Sequence, residues 1–129
     1  MAKKYKIVLV EDDPLSAKLA HDFLVYKGYD VIHINNGLHV MDAVQLNKPD
    51  LILMDIQVFG KSGIECAQEI RATEEFKDSY IFAVSAFTKD KILKEEEMPL
   101  FDEYVEKPIV FSDFMELIQS YLIVQKDDK

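Results

Sequence analysis

Several short apolar runs in this chain end on residues that can do chemistry. Ile7-Val8-Leu9-Val10 leads into Glu11-Asp12-Asp13, Leu51-Ile52-Leu53-Met54 into Asp55, Tyr80-Ile81-Phe82-Ala83-Val84 into Ser85, and the shorter Tyr104-Val105 towards Lys107-Pro108. Two carboxylates ~4 Å apart repel by about 4 kcal/mol at an effective dielectric of about 20, so acids brought together from different runs need a cation between them. Mg²⁺ suits such a set, because it takes one or two carboxylates, keeps several waters and completes its shell with phosphate oxygens. Acids can also simply cap a helix. That reading is preferred for Asp13, which precedes Pro14, whereas the metal reading is preferred for Glu11 and Asp12 together with Asp55. A nucleophilic carboxylate, a divalent cation, a hydroxyl and an ammonium are the parts that phosphoryl transfer needs, since its main demand is neutral charge on the equatorial oxygens. Attack by an aspartate oxygen would give an acyl phosphate.

The elements that must bring these residues together follow from pattern. The apolar runs do not alternate, as expected of strands covered on both faces of a parallel sheet. Val31 to Ile34, interrupted by His33, and Tyr104-Val105 are weaker and read as edges. Helical spacing follows each run: Leu15, Leu19, Ala20, Phe23 and Leu24 after the first, with Asp13 as N-cap, Pro14 at the first helical position and Lys27-Gly28 at the close. Val40, Ala43, Val44 and Leu46 form the second helix, ended by Lys48-Pro49. Ile64, Ala67 and Ile70 mark the third, Lys89 to Glu97 the fourth, and Phe114, Leu117, Ile118, Tyr121 and Leu122 the fifth. The expectation is an α/β fold, (βα) five times over, with a doubly wound parallel five-stranded sheet in the order 2-1-3-4-5. Ligands in such sheets bind beyond the carboxyl ends of the strands, where the chemistry-bearing residues lie.

The chain has 129 residues, with 15 Lys+Arg against 24 Asp+Glu, a formal net charge of −9. A surplus of this sign opposes electrostatic binding to nucleic acid or to an anionic membrane, and favours cations and basic protein patches. Cys66 is the single cysteine and cannot form an internal disulfide. The acids from Glu11 cut the first apolar run too short for a signal peptide, and no run approaches the ~18 residues of a membrane helix. One cytoplasmic domain over residues 1–129 is expected, with 125–129 a polar tail.

With these residues in place, the chain resembles CheY-like receiver domains, the input modules of two-component response regulators. The matching motifs are VLVEDD (Val8 to Asp13), PDLILMDIQ (Pro49 to Gln57), SGIE (Ser62 to Glu65), AVSAF (Ala83 to Phe87) and YVEKPI (Tyr104 to Ile109). Each is weak alone, but their order and spacing over residues 5 to about 124 are specific. The resemblance implies a flavodoxin-like, three-layer sandwich. It implies Asp55 as phosphoacceptor, served by a phosphohistidine of a sensor histidine kinase or a histidine phosphotransfer protein. It also implies Mg²⁺, with Mn²⁺ as a substitute, held by Asp12, by Glu11 mainly through water, by Asp55 and by the backbone carbonyl of Gln57. Ser85 and Lys107 would meet phosphoryl oxygens, with a cis Lys107-Pro108 bond. Ser85 and Tyr104 would act as the switch, while Gln57 and Phe87 would tune the lifetime of the phosphorylated form. A bulky Phe87 is expected to slow self-hydrolysis by shielding the acyl phosphate. No segment beyond residue 124 is long enough for a separate output domain. A single-domain regulator of the CheY or DivK kind is therefore expected, catalysing its own phosphorylation and signalling to a protein or phosphorelay through its fourth and fifth strand–helix units.

The chain departs from the family pattern at three places. Many receivers carry proline four residues after the phosphoacceptor, where this chain has Phe59. Met98-Pro99-Leu100-Phe101 replaces the usual small residue and glycine before the switch aromatic, so the fourth helix is expected to stop near Glu97 and Phe101 to add an apolar contact. Val110 lacks a capping side chain, which puts the start of the fifth helix at Ser112. Surface or satisfied roles are assigned to His21 on the first helix, His33 on the second strand and His39 on the second helix. Cys66 is read as packing and Glu95-Glu96-Glu97 as a solvated helix face. A flavodoxin would need a phosphate-binding loop where the acids stand, a dinucleotide enzyme would need glycines there, and a haloacid-dehalogenase-type phosphatase would need an acid at Gln57. The remaining alternative is a phosphorylation-independent pseudo-receiver, an adaptor that keeps only the fold.

Overall fold

The computed structural model describes residues 4–127, and the side chains of 4–122. Five strands, β1 (Lys6–Val10), β2 (Asp30–Ile34), β3 (Leu51–Asp55), β4 (Ile81–Ser85) and β5 (Glu103–Glu106), form one sheet in the order β2-β1-β3-β4-β5, every pair parallel. The helices are α1 (Pro14–Tyr26), α2 (Val40–Asn47), α3 (Gly63–Arg71), α4 (Lys89–Ile92) and α5 (Phe111–Asp127). Short 3₁₀ turns at Gly37–His39 and Glu95–Leu100 precede α2 and β5.

Successive residues of the central strands feed opposite cores. Ile7, Leu9, Leu51, Leu53 and Phe82 pack with Leu24 of α1 and Phe114, Ile118 and Leu122 of α5. Val8, Val10, Ile52 and Met54 pack on the other side with Val40 and Val44 of α2 and Cys66, Ala67 and Ile70 of α3. A smaller cluster of Ile56, Ala83 and Leu93 sits under α4. Full burial of a Leu or Ile side chain contributes about 1.5–3 kcal/mol, so continuous apolar runs are what a sheet covered twice requires.

Local signals operate as expected at most ends. Asp13 caps α1 by accepting from Ser16 N at 2.9 Å, with Pro14 inside the first turn. Lys48 closes α2 in the left-handed region, φ 47, just before Pro49. Ser62 and Glu65 make a reciprocal capping box at α3.

Several expectations need correction. In α1 the buried face is Ala17, Ala20 and Leu24, while Leu15 and Leu19 are 66% and 54% exposed. Leu46 points to solvent rather than into the core. The fourth helix does not reach Glu97: it ends at Ile92, Leu93 is extended (φ −113, ψ 135), and Glu95-Glu96-Glu97 lie in a 3₁₀ turn containing Pro99. Lys94 N donates to Glu97 Oε1 at 2.7 Å, which holds that turn, and Phe101 is half-buried against two of the clusters. The fifth helix starts at Phe111, one residue before Ser112, because the Val110 carbonyl accepts from Phe114 N at 2.9 Å. His39 lies in the 3₁₀ turn rather than in α2. The expected tail is helical as far as Asp127, and 128–129 lie outside the described residues.

Candidate functional site

Register sets the levels at which functional groups emerge. Val10 pairs with Met54 and Met54 with Ala83, so Glu11 and Asp55 leave adjacent strands side by side. Ser85 pairs with Glu106 one step further out, and Lys107 follows it, tied back by Lys107 N donating to the Ser85 carbonyl at 2.7 Å. The Lys107-Pro108 bond is cis, as expected.

Glu11, Asp12 and Asp55 each offer a carboxylate oxygen, and these atoms lie within 4.8 Å of one another. Glu11 and Asp55 are buried, at 5% and 6% exposure, while Asp12 is open to solvent. Lys107 Nζ sits between the two buried acids, 2.7 Å from Glu11 Oε1 and 3.2 Å from Asp55 Oδ2. Burial raises the Glu11 carboxyl above its ordinary value, opposed by the Lys107 hydrogen bond and reinforced by Asp55. Burial pulls the Lys107 ammonium down, but its hydrogen bond to Glu11 and the charges of both acids outweigh that and hold it above the ordinary lysine value. All the side-chain donors in the cluster are hard carboxylate oxygens with one face open to water, a set that fits Mg²⁺ and offers no thiolate or imidazole for a softer metal.

The main chain completes the site. Gln57 N donates to Asp55 Oδ1 at 3.0 Å, Asp13 N to Glu11 Oε2 at 3.1 Å, and Phe59 N to Asp12 Oδ2 at 2.9 Å. Ser85 is buried, and its Oγ accepts from Phe87 N at 3.1 Å; the Tyr104 hydroxyl donates to the Phe87 carbonyl at 2.8 Å. The peptide of Phe87 therefore links the two expected switch residues. Burial raises the Tyr104 phenol above its ordinary value. Beside the carboxylates, an apolar cavity of about 420 Å³ opens between α1 and the turn into α5, with Glu11 and Lys107 in its wall.

Sequence reasoning named Glu11, Asp12, Asp55 and Lys107, and the fold brings all four together. His33 is the satisfied surface histidine expected, its Nε2 2.7 Å from the Glu11 carbonyl, whereas the N–H of Phe59 was missed. The absence of proline at residue 59 is the signal that could have found the latter. Cys66 is buried packing, its thiol pushed by that burial up to about 11.

An acidic cleft at the switch point of a 2-1-3-4-5 parallel sheet, closed by the lysine that follows the last strand, defines the class: a doubly wound α/β domain with a carboxylate-and-lysine site. The response regulator receiver domain profile matches residues 7–119, and the chain belongs to that family. It is similar to the polar-differentiation response regulator DivK of Brucella anthropi, 35% identical over 116 residues, which span 90% of this chain and 94% of DivK. Among solved structures it resembles a CheY-like receiver domain from Methylobacillus flagellatus, 27% identical with a TM-score of 0.83, covering 92% of this chain and 99% of that one. It also resembles the response regulator TrrA of Thermotoga maritima, solved in complex with Mg²⁺ and BeF, at 29% identity and TM-score 0.82, again covering 92% and 99%.

Proposed function

We propose that this receiver domain takes a phosphoryl group on Asp55 from a phosphohistidine and uses the acyl phosphate as a switch. The observation that carries this reading is the placement of Lys107 Nζ between Glu11 and Asp55, with Asp12 completing the acidic cluster. An Asp55 oxygen attacks phosphorus, the P–N bond of the donor breaks as the P–O bond forms, and the imidazole leaves. Mg²⁺, held by Asp12, Glu11, Asp55 and the Gln57 carbonyl, would supply charge neutralisation for the transferring group. Lys107 would exchange a carboxylate for a phosphoryl oxygen, and the buried Ser85 hydroxyl would leave Phe87 N for another. That exchange would loosen the Phe87 peptide and with it Tyr104, passing the change to the β4-α4-β5-α5 face and a protein partner. Phe87 and Gln57 are assigned control of the lifetime. Among the described residues no helix is long and apolar enough to cross a membrane, and we assign the domain to the cytoplasm, where histidine kinases and phosphotransfer proteins would serve it.

Incubation with acetyl phosphate and Mg²⁺ should add one phosphoryl mass to the wild type and none to Asp55→Asn. A wild type that stays unmodified, with this donor and with a phosphorylated phosphotransfer protein alike, would replace the proposal by the adaptor reading.

A further inference from the structure

Asp12 is held by a donor that the many receivers with proline at this place cannot supply. Proline has no N–H, so a receiver with proline at this place has no main-chain donor there. Here residue 59 is phenylalanine, and its N–H reaches Asp12 Oδ2 at 2.9 Å. The other side of the same residue is also engaged, because Gly37 N donates to the Phe59 carbonyl at 2.8 Å. Gly37 in turn accepts from Cys66 Sγ at 3.4 Å, which ties the turn before α2 to α3. The Phe59 side chain takes no part in this, being 74% exposed.

We propose that the Phe59 N–H is a positioning group for the cation site: it fixes the Asp12 carboxylate by one oxygen, leaving the other presented to the ion. The inference rests on the reading of Asp12 as a cation ligand. Asp12 is exposed, so without an anchor its carboxylate samples several rotamers, and a ligand group fixed beforehand has less freedom to lose on binding. The bond is charge-assisted, the stronger class of hydrogen bond. Linkage is reciprocal: if the latch favours cation binding, cation binding tightens the latch. Occupancy of the site is thereby reported through Phe59 and Gly37 to the turn that leads into α2.

Phe59→Ala keeps the N–H and Phe59→Pro removes it. Titration calorimetry with Mg²⁺ alone should give wild-type affinity for Phe59→Ala and about five- to tenfold weaker binding for Phe59→Pro. In the wild type, Mg²⁺ should also slow hydrogen exchange at the Phe59 and Gly37 amides, a readout that needs no variant to fold. Equal affinity of the proline variant and wild type, or an alanine variant as weak as the proline one, overturns the latch while leaving the cation site standing. Unchanged exchange at both amides in the presence of bound Mg²⁺ does the same. A wild type that binds no Mg²⁺ removes the cation reading itself.

Discussion

Lys107 is the cation that this site supplies for itself. With the ammonium in place, two acids buried to 5% and 6% exposure can sit side by side; without it their charges face one another uncompensated. Lys107→Met keeps most of the apolar stem and removes the charge. Removing one partner from a fully buried pair costs about 3–5 kcal/mol, and the 23% exposure of the lysine side chain brings the expectation down to about 2 kcal/mol. The urea midpoint of the two proteins measures it, and a variant as stable as wild type would deny the lysine this role. The pH dependence has a definite sign. Because the folded lysine is held above its ordinary 10.5, its contribution is present below that value while Glu11 and Asp55 are ionised and fades as pH rises past it, so the gap between the two proteins should narrow in strong base and again in acid, where the raised Glu11 carboxyl takes up its proton. Glu11, Asp12, Asp55 and Lys107 were legible in the sequence because each is a charged residue placed at a strand end. The links that organise them were not: His33 on the Glu11 carbonyl, Phe59 N–H on Asp12, and the Phe87 backbone between Ser85 and Tyr104 all use main-chain groups, which every residue type except proline carries in full.

Among the elements, α3 begins directly against the backbone of Asp55. Gly63 begins it, donating its N–H to the Ile56 carbonyl at 2.8 Å, and a Cβ there would lie 2.5 Å from the Asp55 carbonyl oxygen and 2.7 Å from Ile56 Cα. Those neighbours are backbone and cannot swing aside. Gly63→Ala is therefore expected to cost about 2 kcal/mol or more in a urea titration and to depress phosphoryl uptake from acetyl phosphate even where the protein stays folded, since β3 must give way next to Asp55. Uptake at the wild-type rate in the folded variant would show that α3 does not set the Asp55 backbone. The same elements show why the fold was only partly readable. Strands covered on both faces print continuous apolar runs, and all three central strands were found. Helices print one face, and in α1 Ala20, Phe23 and Leu24 lie on it as expected, but with Ala17 and Ala20 buried Leu15 and Leu19 face outwards. Between β4 and β5, Pro99 and the extended Leu93 defeat a helical pattern that Lys89 to Glu97 satisfies on paper.

For the molecule as a whole, the net charge of −9 acts at two ranges that can be separated. Diffuse repulsion among surface acids opposes compaction and is screened by any salt, with a Debye length of about 10 Å at 0.1 M. The gathered carboxylates of Glu11, Asp12 and Asp55 act locally, and only an ion that enters the cleft relieves them. Sodium chloride should therefore raise the urea midpoint modestly. Magnesium chloride at the same ionic strength should raise it further, because an ion bound to the folded state alone adds about 2.7 kcal/mol when its concentration is a hundred times its Kd. That excess should vanish in Asp12→Asn, which keeps the shape of the residue and removes one ligand charge, and should be reversed by a chelator in the wild type. If the two salts stabilise the wild type equally, the acids contribute only to the diffuse field and the cleft holds no cation in the folded protein. A magnesium excess that survives in Asp12→Asn would instead place the bound ion on Glu11 and Asp55 alone.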